Sequence, residues 1–234
     1  MNRTPHIPTA PNPPQRRIIG AAFLSLDGVM QSPGAPTEDP TGGFDQGGWM
    51  AHYVDETVGR AIGDLFAAPF ALLFGRRSYE MLAAHWPYAT GEAAALGAAL
   101  TAADKYVLTG GDEALDWENS HRLADIDAVR ALKAAPGPDL VIQGSGSLYP
   151  PLLAAGLIDE LVLFSFPIVL GKGKRLFGAG TPSFALDLVD RRASPNGVAI
   201  ARYRVGGAIP PGSFAHDKPS DREIARRKRL EAEG

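Results

Sequence analysis

Runs of apolar residues recur along the chain and predict its strands. Five of these runs lie between turn-forming residues, as is typical of buried strands in a parallel sheet, and Trp117–Ser120 is a further short candidate. Two segments near the C-terminus alternate apolar and polar residues around Pro195-Asn196-Gly197, which indicates an antiparallel pair. The predicted strands are Arg17–Leu26, Phe70–Phe74, Lys105–Thr109, Leu140–Ile142, Glu160–Leu170, Phe184–Asp190 and Val198–Val205.

Helical periodicity separates most of these runs. The apolar residues of Trp49–Ala67 recur at three- and four-residue spacing, which predicts an amphipathic helix. The other predicted helices are Ser78–His85, Glu92–Ala103, Ile126–Ala134 and a short apolar helix with Pro150 and Pro151 in its first turn. Strands that alternate with helices, followed by strands alone, predict an α/β domain whose sheet is mostly parallel with antiparallel C-terminal edge strands.

The two ends of the chain differ from this middle part. Residues 1–16 are rich in proline and poor in apolar side chains, so we expect a disordered arm. Residues 207–234 are polar and are expected to form a solvated tail or a marginal helix. The folded domain is therefore expected to span residues 17–206. Within it, the loop Gln31–Gly48 is long enough to indicate a functional cover or a disordered insertion.

Composition narrows the classes of function. The 234 residues are 45% hydrophobic and 21% charged, which is enough chain to bury a core. A net charge of −3 gives no basic footprint for nucleic acid, and no run reaches the ~20 apolar residues of a membrane span. The chain has no cysteine and no metal-binding histidine pattern, so we expect no metal. The N-terminus lacks the apolar core of a secretory signal, and the expected location is the cytoplasm.

Small polar turns at the ends of predicted strands form the candidate site. Gly75-Arg76-Arg77-Ser78 follows one strand, Thr109 ends another, and Gly144-Ser145-Gly146-Ser147 leads from a strand into a helix. The carboxyl ends of parallel strands share one edge of a sheet, and ligands collect there. Small residues let backbone amides approach a phosphate, and arginine binds phosphate bidentately. Two such turns favour a dinucleotide over a single phosphate.

Each of these features also has a simpler interpretation. A glycine-rich turn can be small for packing alone, and Arg76 and Arg77 can be solvated or paired with Glu80 on a helix surface. Asp27 is either a polar group beside a bound nicotinamide or a turn residue before Gly28. The convergence of several turns at one edge of the sheet favours phosphate binding.

Candidate substrate-binding residues lie outside these turns. Trp49 and Tyr53 either stack on a flat heterocycle or serve as a helix-start anchor and a core residue. Lys172 either contacts a substrate phosphate or faces solvent.

Five motifs occur in order along the chain. They are Ser25-Leu26-Asp27-Gly28, Leu73–Glu80, Ile142–Leu148, Gly156–Leu161 and Pro167–Gly173. In this order they resemble the dihydrofolate reductase-like family, which includes the reductase domain of the riboflavin-pathway deaminase/reductase. The resemblance covers Arg17–Val205 and implies the three-layer fold of that family.

The resemblance implies a reductase that uses NADPH, and the paired arginines favour NADPH over NADH. It assigns the phosphates of the cofactor to Gly75, Arg76, Arg77, Ser78, Thr109, Gly144, Ser145, Gly146, Ser147 and Leu148. Asp27 is the candidate catalytic residue. The resemblance also implies a homodimer that pairs through its terminal strands.

The substrate expected from this resemblance is a small N-heterocycle. Dihydrofolate reductases carry a carboxylate early in the first long helix, where this chain reads Trp49-Met50-Ala51-His52-Tyr53, so folate is disfavoured. The named candidate is 5-amino-6-(5-phosphoribosylamino)uracil, with dihydrofolate reductase-like chemistry as the broader class. The alternative is a non-catalytic nucleotide- or flavin-binding module on the same fold.

Overall fold

The computed structural model describes residues 15–215 and 218–233, and within them the chain is built on one eight-stranded sheet. The strands are β1 (Ile18–Ser25), β2 (Phe70–Gly75), β3 (Lys105–Leu108), β4 (Ser120–Leu123), β5 (Asp139–Gln143), β6 (Glu160–Phe166), β7 (Leu186–Ala193) and β8 (Ala199–Val205). The α-helices are α1 (Glu56–Asp64), α2 (Arg76–Ala83), α3 (Ala94–Ala102), α4 (Ile126–Ala134), α5 (Tyr149–Ala154) and α6 (Asp221–Glu233).

The strand order places the predicted turns at one edge of the sheet. That order is β4-β3-β2-β5-β1-β6-β8-β7. The six strands from β4 to β6 are parallel to their neighbours, whereas β8 runs antiparallel to β6 and β7. This confirms the mostly parallel sheet with antiparallel C-terminal edge strands. Because β1, β2, β3 and β5 are parallel, the turns after them lie at the same edge.

Alternating side chains of the central strands enter two different cores, as the period of a strand requires. On β5, Leu140 and Ile142 pack in a cluster that includes Val129 of α4 and Leu152 of α5. Val141 points to the opposite face, where α2 and α3 pack, and α1 covers β1 and β6 on that same side. The sheet is therefore the middle of three layers, which confirms the three-layer expectation.

The first helix begins later than its periodicity predicted. Helix α1 starts at Glu56, because the Asp55 side chain accepts a hydrogen bond from the backbone N–H of Val58 at 3.0 Å and so caps the helix there. The predicted first turns of the helix, from Trp49, instead form a turn at Trp49 and Met50 and a short 3₁₀ segment, Ala51–Tyr53. The apolar residues of that segment, Trp49, Met50 and Tyr53, are spaced as in a helix because they contact the core, although the segment is not an α-helix.

Three predicted strands also have clearly different bounds, and one of them, predicted over Phe184–Asp190, is β7 over Leu186–Ala193. Strand β4 begins only at Ser120, the last residue of the predicted Trp117–Ser120 segment, because Asn119 has a positive φ of 57°, which a strand does not adopt. Trp117 is instead buried at a bend, with its ring stacked 6.4 Å from that of Phe74. Strand β6 ends at Phe166 and not at Leu170, since Pro167 has no N–H to donate to a ladder.

The two ends of the chain lie outside the domain that the sequence predicts. Residues 1–14 of the predicted arm lie outside the described residues, whereas Arg16 is buried with its guanidinium 5.8 Å from the centre of the Tyr106 ring. In the polar tail, helix α6 is largely exposed, and Glu223 pairs with Arg226 at 2.7 Å and Arg227 at 2.9 Å. Over the described ranges, no helix is both long and apolar enough to cross a membrane.

Candidate functional site

Two of the predicted turns are bound directly to each other. Register pairs β2 with β5, so the turn Gly75–Ser78 lies beside the turn Gly144–Leu148; together they are called the paired turns below. The Ser145 hydroxyl accepts a hydrogen bond from the Gly75 N–H at 2.9 Å. In return, the Ser78 hydroxyl accepts one from the Ser145 N–H at 2.8 Å. Segments almost seventy residues apart in sequence are thereby fixed as one unit.

Small residues are required where the paired turns meet. Gly144 and Ser145 both have positive φ, at 77° and 57°, a region that side chains disfavour. A Cβ on Gly146 would lie 3.0 Å from the Met30 sulfur, which is a tight contact, whereas one on Gly75 would make only ordinary contact, 3.5 Å from the Ser147 hydroxyl. Glycine therefore suits the positive φ at Gly144 and leaves the rim of the turns without bulk.

The two arginines at the start of α2 have different surroundings. Gly75 is the N-cap, so Arg76 and Arg77 are the first helical residues, where N–H groups lack intrahelical acceptors and the helix dipole favours anions. Arg76 donates to both Glu80 carboxylate oxygens, at 2.8 and 2.9 Å, and its Nε lies 3.4 Å from Glu113. The hydrogen bond with Glu80 is the main reason that the pKa of Arg76 is raised. Arg77 is exposed and has no ion pair within residues 15–215 and 218–233.

Thr109 lies on the other side of Arg76. Leu108 at the end of β3 pairs with Gly75, so Thr109 follows directly beside the start of α2. Its hydroxyl accepts a hydrogen bond from the Gly111 N–H at 3.2 Å. The guanidinium of Arg122 donates to the carbonyl oxygens of Gly111 and Glu113. The structure therefore groups Thr109 with the paired turns, as the parallel sheet predicted.

Asp27 anchors a loop. Its carboxylate accepts hydrogen bonds from the Ser25 hydroxyl at 2.7 Å and from the N–H groups of Leu170 at 3.0 Å and Gly171 at 2.9 Å. Arg175 adds an ion pair at 3.3 Å. The hydrogen bond from Ser25, followed by the backbone hydrogen bonds, lowers the pKa of Asp27 to about 2. A carboxylate held ionised in this way is a poor proton donor at neutral pH, and its catalytic role stays a prediction.

Trp49 and Tyr53 both contact the core beneath the long loop. Trp49 is 8% exposed, its Nε1 donates to the Gln31 carbonyl at 2.8 Å, and its ring meets that of Phe166 edge-on at 5.3 Å. Tyr53 is partly buried against the same Phe166 ring at 6.2 Å. These contacts correspond to the structural alternative for Trp49, while part of Tyr53 remains accessible.

Lys172 holds the long loop that follows β1. Its Nζ lies 3.0 Å from an Asp45 carboxylate oxygen and 3.3 Å from the Gly43 carbonyl. Lys174 makes equivalent contacts with Asp39. The loop Gln31–Gly48 is thus fastened to the segment after β6, and Lys172 is separate from the paired turns.

A family model described as the RibD C-terminal domain matches residues 16–200. The chain belongs to this family. The match runs from the residues just before β1 into β8, and so includes every one of the paired-turn residues. It confirms the resemblance drawn from the five ordered motifs.

Individual relatives of this RibD C-terminal domain are distant. The uncharacterized protein YyaP of Bacillus subtilis (strain 168) is 27% identical over 200 residues, which is 82% of this chain and 97% of YyaP. A candidate riboflavin biosynthesis protein from Shewanella sp. PV-4 is 22% identical, with a TM-score of 0.57 over 81% of this chain and 98% of its own. A pyrimidine reductase-like protein from Corynebacterium diphtheriae is 16% identical, with a TM-score of 0.52 over 81% and 92% of the two chains. At these identities the likeness of the two solved structures concerns the fold.

The paired turns of the RibD C-terminal domain fit a diphosphate group. Their side chains and backbone offer donors, in the form of hydroxyls, amides and the exposed Arg77 guanidinium, and their rim carries little bulk. Within residues 15–215 and 218–233, no group of three or more potential metal ligands is brought together. Hydrogen-bond donors of this kind are the groups with which proteins bind anions.

Three residues that sequence reasoning missed shape the site. Gln31 donates to the Asp39 and Thr41 carbonyls and accepts from the Lys174 N–H, so it organises the long loop. Arg175 fixes Asp27, and Glu113 contacts Arg76. Their partners are distant in sequence or in an irregular loop, and no local pattern marked them.

Proposed function

We propose that this protein is a pyridine-nucleotide-dependent reductase that prefers NADPH to NADH. The observation that carries the proposal is the reciprocal hydrogen bonding of Ser78 and Ser145, which joins two amide-rich turns into one anion cradle. Membership of the RibD C-terminal domain family supports it. A pyrophosphate in the cradle would contact Gly144–Leu148 and Arg77, and a 2′-phosphate would contact Arg76 and Thr109. The nucleotide would supply a hydride, and the chain would bind and orient it.

The proposed substrate is a small N-heterocycle. A pyrimidine reductase-like protein shares the fold, and 5-amino-6-(5-phosphoribosylamino)uracil is the named candidate. Tyr53 is the aromatic side chain at the long loop that keeps accessible surface. Because the Asp27 carboxylate is ionised and fully engaged, the proton that complements the hydride would come from water.

We also propose a homodimer that pairs through the terminal strands. Strand β7 is at the end of the sheet, so one of its two edges has no partner strand within the described residues. Leu188 is 51% exposed and Val189 is 47% exposed on this strand, beside the charged residues Asp187, Asp190, Arg191 and Arg192. Size-exclusion chromatography with light scattering measures the mass directly, and a monomer at micromolar concentration would contradict the proposal.

The reductase proposal is tested by binding and turnover together. Calorimetry with NADPH and NADH should give a lower dissociation constant for NADPH, and Arg76→Ala should remove most of that preference. Arg130→Ala, which removes an exposed arginine on α4, is the matched control and should leave both affinities unchanged. Steady oxidation of NADPH with a panel of N-heterocycles should reveal a substrate. Binding without turnover would favour the non-catalytic module, and equal losses for both cofactors would contradict the role given to Arg76.

A further inference from the structure

The guanidinium of Arg76 contacts two carboxylates, one from its own helix and one from a loop. Glu80 is one helical turn further along α2 and binds Nη1 with both oxygens, at 2.8 and 2.9 Å. Glu113 comes from the loop after β3 and approaches Nε only to 3.4 Å. The two carboxylates are about equally exposed, at 48% for Glu80 and 45% for Glu113, so it is the single, longer contact that makes Glu113 the weaker and the more easily replaced partner.

The backbone that carries Glu113 is fixed. Arg122 on β4 donates to the carbonyl oxygens of both Gly111 and Glu113, and the Thr109 hydroxyl holds the Gly111 N–H. With the loop held at these three points, the Glu113 carboxylate can leave Arg76 only by rotating its own side chain. A guanidinium, a hydroxyl and a carboxylate are therefore kept together at one end of the paired turns.

These three groups would lie beside the ribose of a bound adenosine. This step rests on the proposed function, which puts the adenosine end of the cofactor at Arg76 and Thr109. A carboxylate at such a position accepts hydrogen bonds from a free ribose hydroxyl, whereas a nearby arginine accommodates a 2′-phosphate. A phosphate of charge about −1.5 to −2 would be repelled by Glu113 and attracted by Arg76.

We propose that Glu113 is a specificity-determining residue that limits the preference for a 2′-phosphate. In the free protein its carboxylate contacts Arg76. A ribose with a free 2′-hydroxyl can donate to Glu113 and leave that contact in place. A 2′-phosphate takes the guanidinium for itself and displaces the Glu113 side chain. Glu80 has a different role, since its two hydrogen bonds hold the guanidinium in position along α2.

The test uses nucleotide fragments that differ in this phosphate alone. Adenosine 2′,5′-bisphosphate and 5′-AMP are titrated calorimetrically into the full chain and into Glu113→Gln at low ionic strength. The variant should bind the bisphosphate roughly 5- to 10-fold more tightly, the factor expected when one like charge is removed a few ångströms from a phosphate. Its affinity for AMP should stay the same or fall. The gain should shrink in about 0.5 M salt, because the groups are exposed.

The matched control is Glu92→Gln, which makes the same charge change at an exposed site away from the paired turns. It should leave the ratio of the two affinities unchanged. An unchanged ratio in Glu113→Gln, or an equal gain in Glu92→Gln, would overturn the role of Glu113 while the proposed function stands. If the wild-type chain binds neither fragment nor NADPH, the proposed function fails and this inference fails with it.

Discussion

The paired turns and the region around the long loop use polar residues in opposite ways. In the paired turns, Ser78 and Ser145 are used for structure, while Arg77 is left exposed at the rim. Around the long loop, Asp27 and Lys172 are each occupied by partners within the protein. The first region is the one that we propose receives an anion, and the second holds a loop on the sheet.

This difference shows which polar side chains remain available for function. The two internal links take up the N–H groups of Gly75 and Ser145, whereas the N–H groups of Gly146 and Ser147 begin a 3₁₀ segment and have no intrahelical acceptor, so they can still donate to an anion. A carboxylate or an ammonium group offers only its own atoms. Once Asp27 accepts from two backbone N–H groups, its capacity for a ligand is largely taken up.

The largest effect should come from Trp49, whose position decides whether the long-loop region is core or binding surface. Trp49→Ala should lower the free energy of unfolding by about 3–5 kcal/mol, because it removes a buried ring and leaves a cavity. Trp49→Phe should cost about 1–2 kcal/mol, mainly through the lost hydrogen bond to the Gln31 carbonyl. Urea unfolding followed by circular dichroism measures both values.

Tyr88→Ala is the aromatic control for this prediction. Tyr88 is 76% exposed, and its removal should change the free energy of unfolding by no more than about 0.5 kcal/mol. A Trp49→Ala variant that is as stable as this control would show that Trp49 is a surface residue and would make it a ligand-stacking candidate again.

A smaller effect is expected for Ser145, and it separates structure from binding within the paired turns. Ser145→Ala leaves the buried Gly75 N–H without its acceptor, which should cost about 1–3 kcal/mol of unfolding free energy. Ser147→Ala makes the same change two positions later at an exposed residue and should cost no more than about 0.5 kcal/mol.

Ser147→Ala, the variant with the smaller effect on stability, is the one expected to affect NADPH binding directly. Ser147→Ala should weaken NADPH binding without altering the urea midpoint, since its hydroxyl is at the rim of the cradle. Equal stability of the two variants would show that the Ser145 hydrogen bond does not hold the turns together.

Local sequence was sufficient for the sheet and the paired turns but not for the loop contacts. The runs before Gly75 and Gly144 are buried strands followed by small residues, and both properties are written in consecutive positions. Asp27 is different, because its partners Leu170 and Gly171 lie more than 140 residues away. No neighbouring residue indicates such a contact. The same holds for Trp49, whose spacing is helical although its segment is an irregular turn over Phe166.

The smallest effect concerns the charge of Asp27 and appears as a pH dependence. Its pKa is about 2 in the folded protein, below its ordinary value of 3.8, because the folded state stabilises the ionised form. The unfolded chain therefore binds the proton more tightly, and this contribution to stability is complete above about pH 4 and is lost as the pH falls towards 2. Asp27→Asn should give a flatter stability profile across that window, measured by thermal unfolding at intervals of pH.

The same variant separates an anchor from a catalytic acid. If the carboxylate only holds the Leu170–Gly171 backbone, Asp27→Asn should retain the shape of the wild-type pH profile of kcat once a substrate is known, since the amide keeps one acceptor oxygen. Asp116→Asn, at an exposed position before β4, controls for the loss of one negative charge. A loss of kcat by about 100-fold or more, the lower range of general acid–base catalysis, together with a changed shape of the pH profile, would instead place Asp27 at the reacting atoms. In that case the long-loop region would belong to the active site, and the contrast with the paired turns would no longer hold.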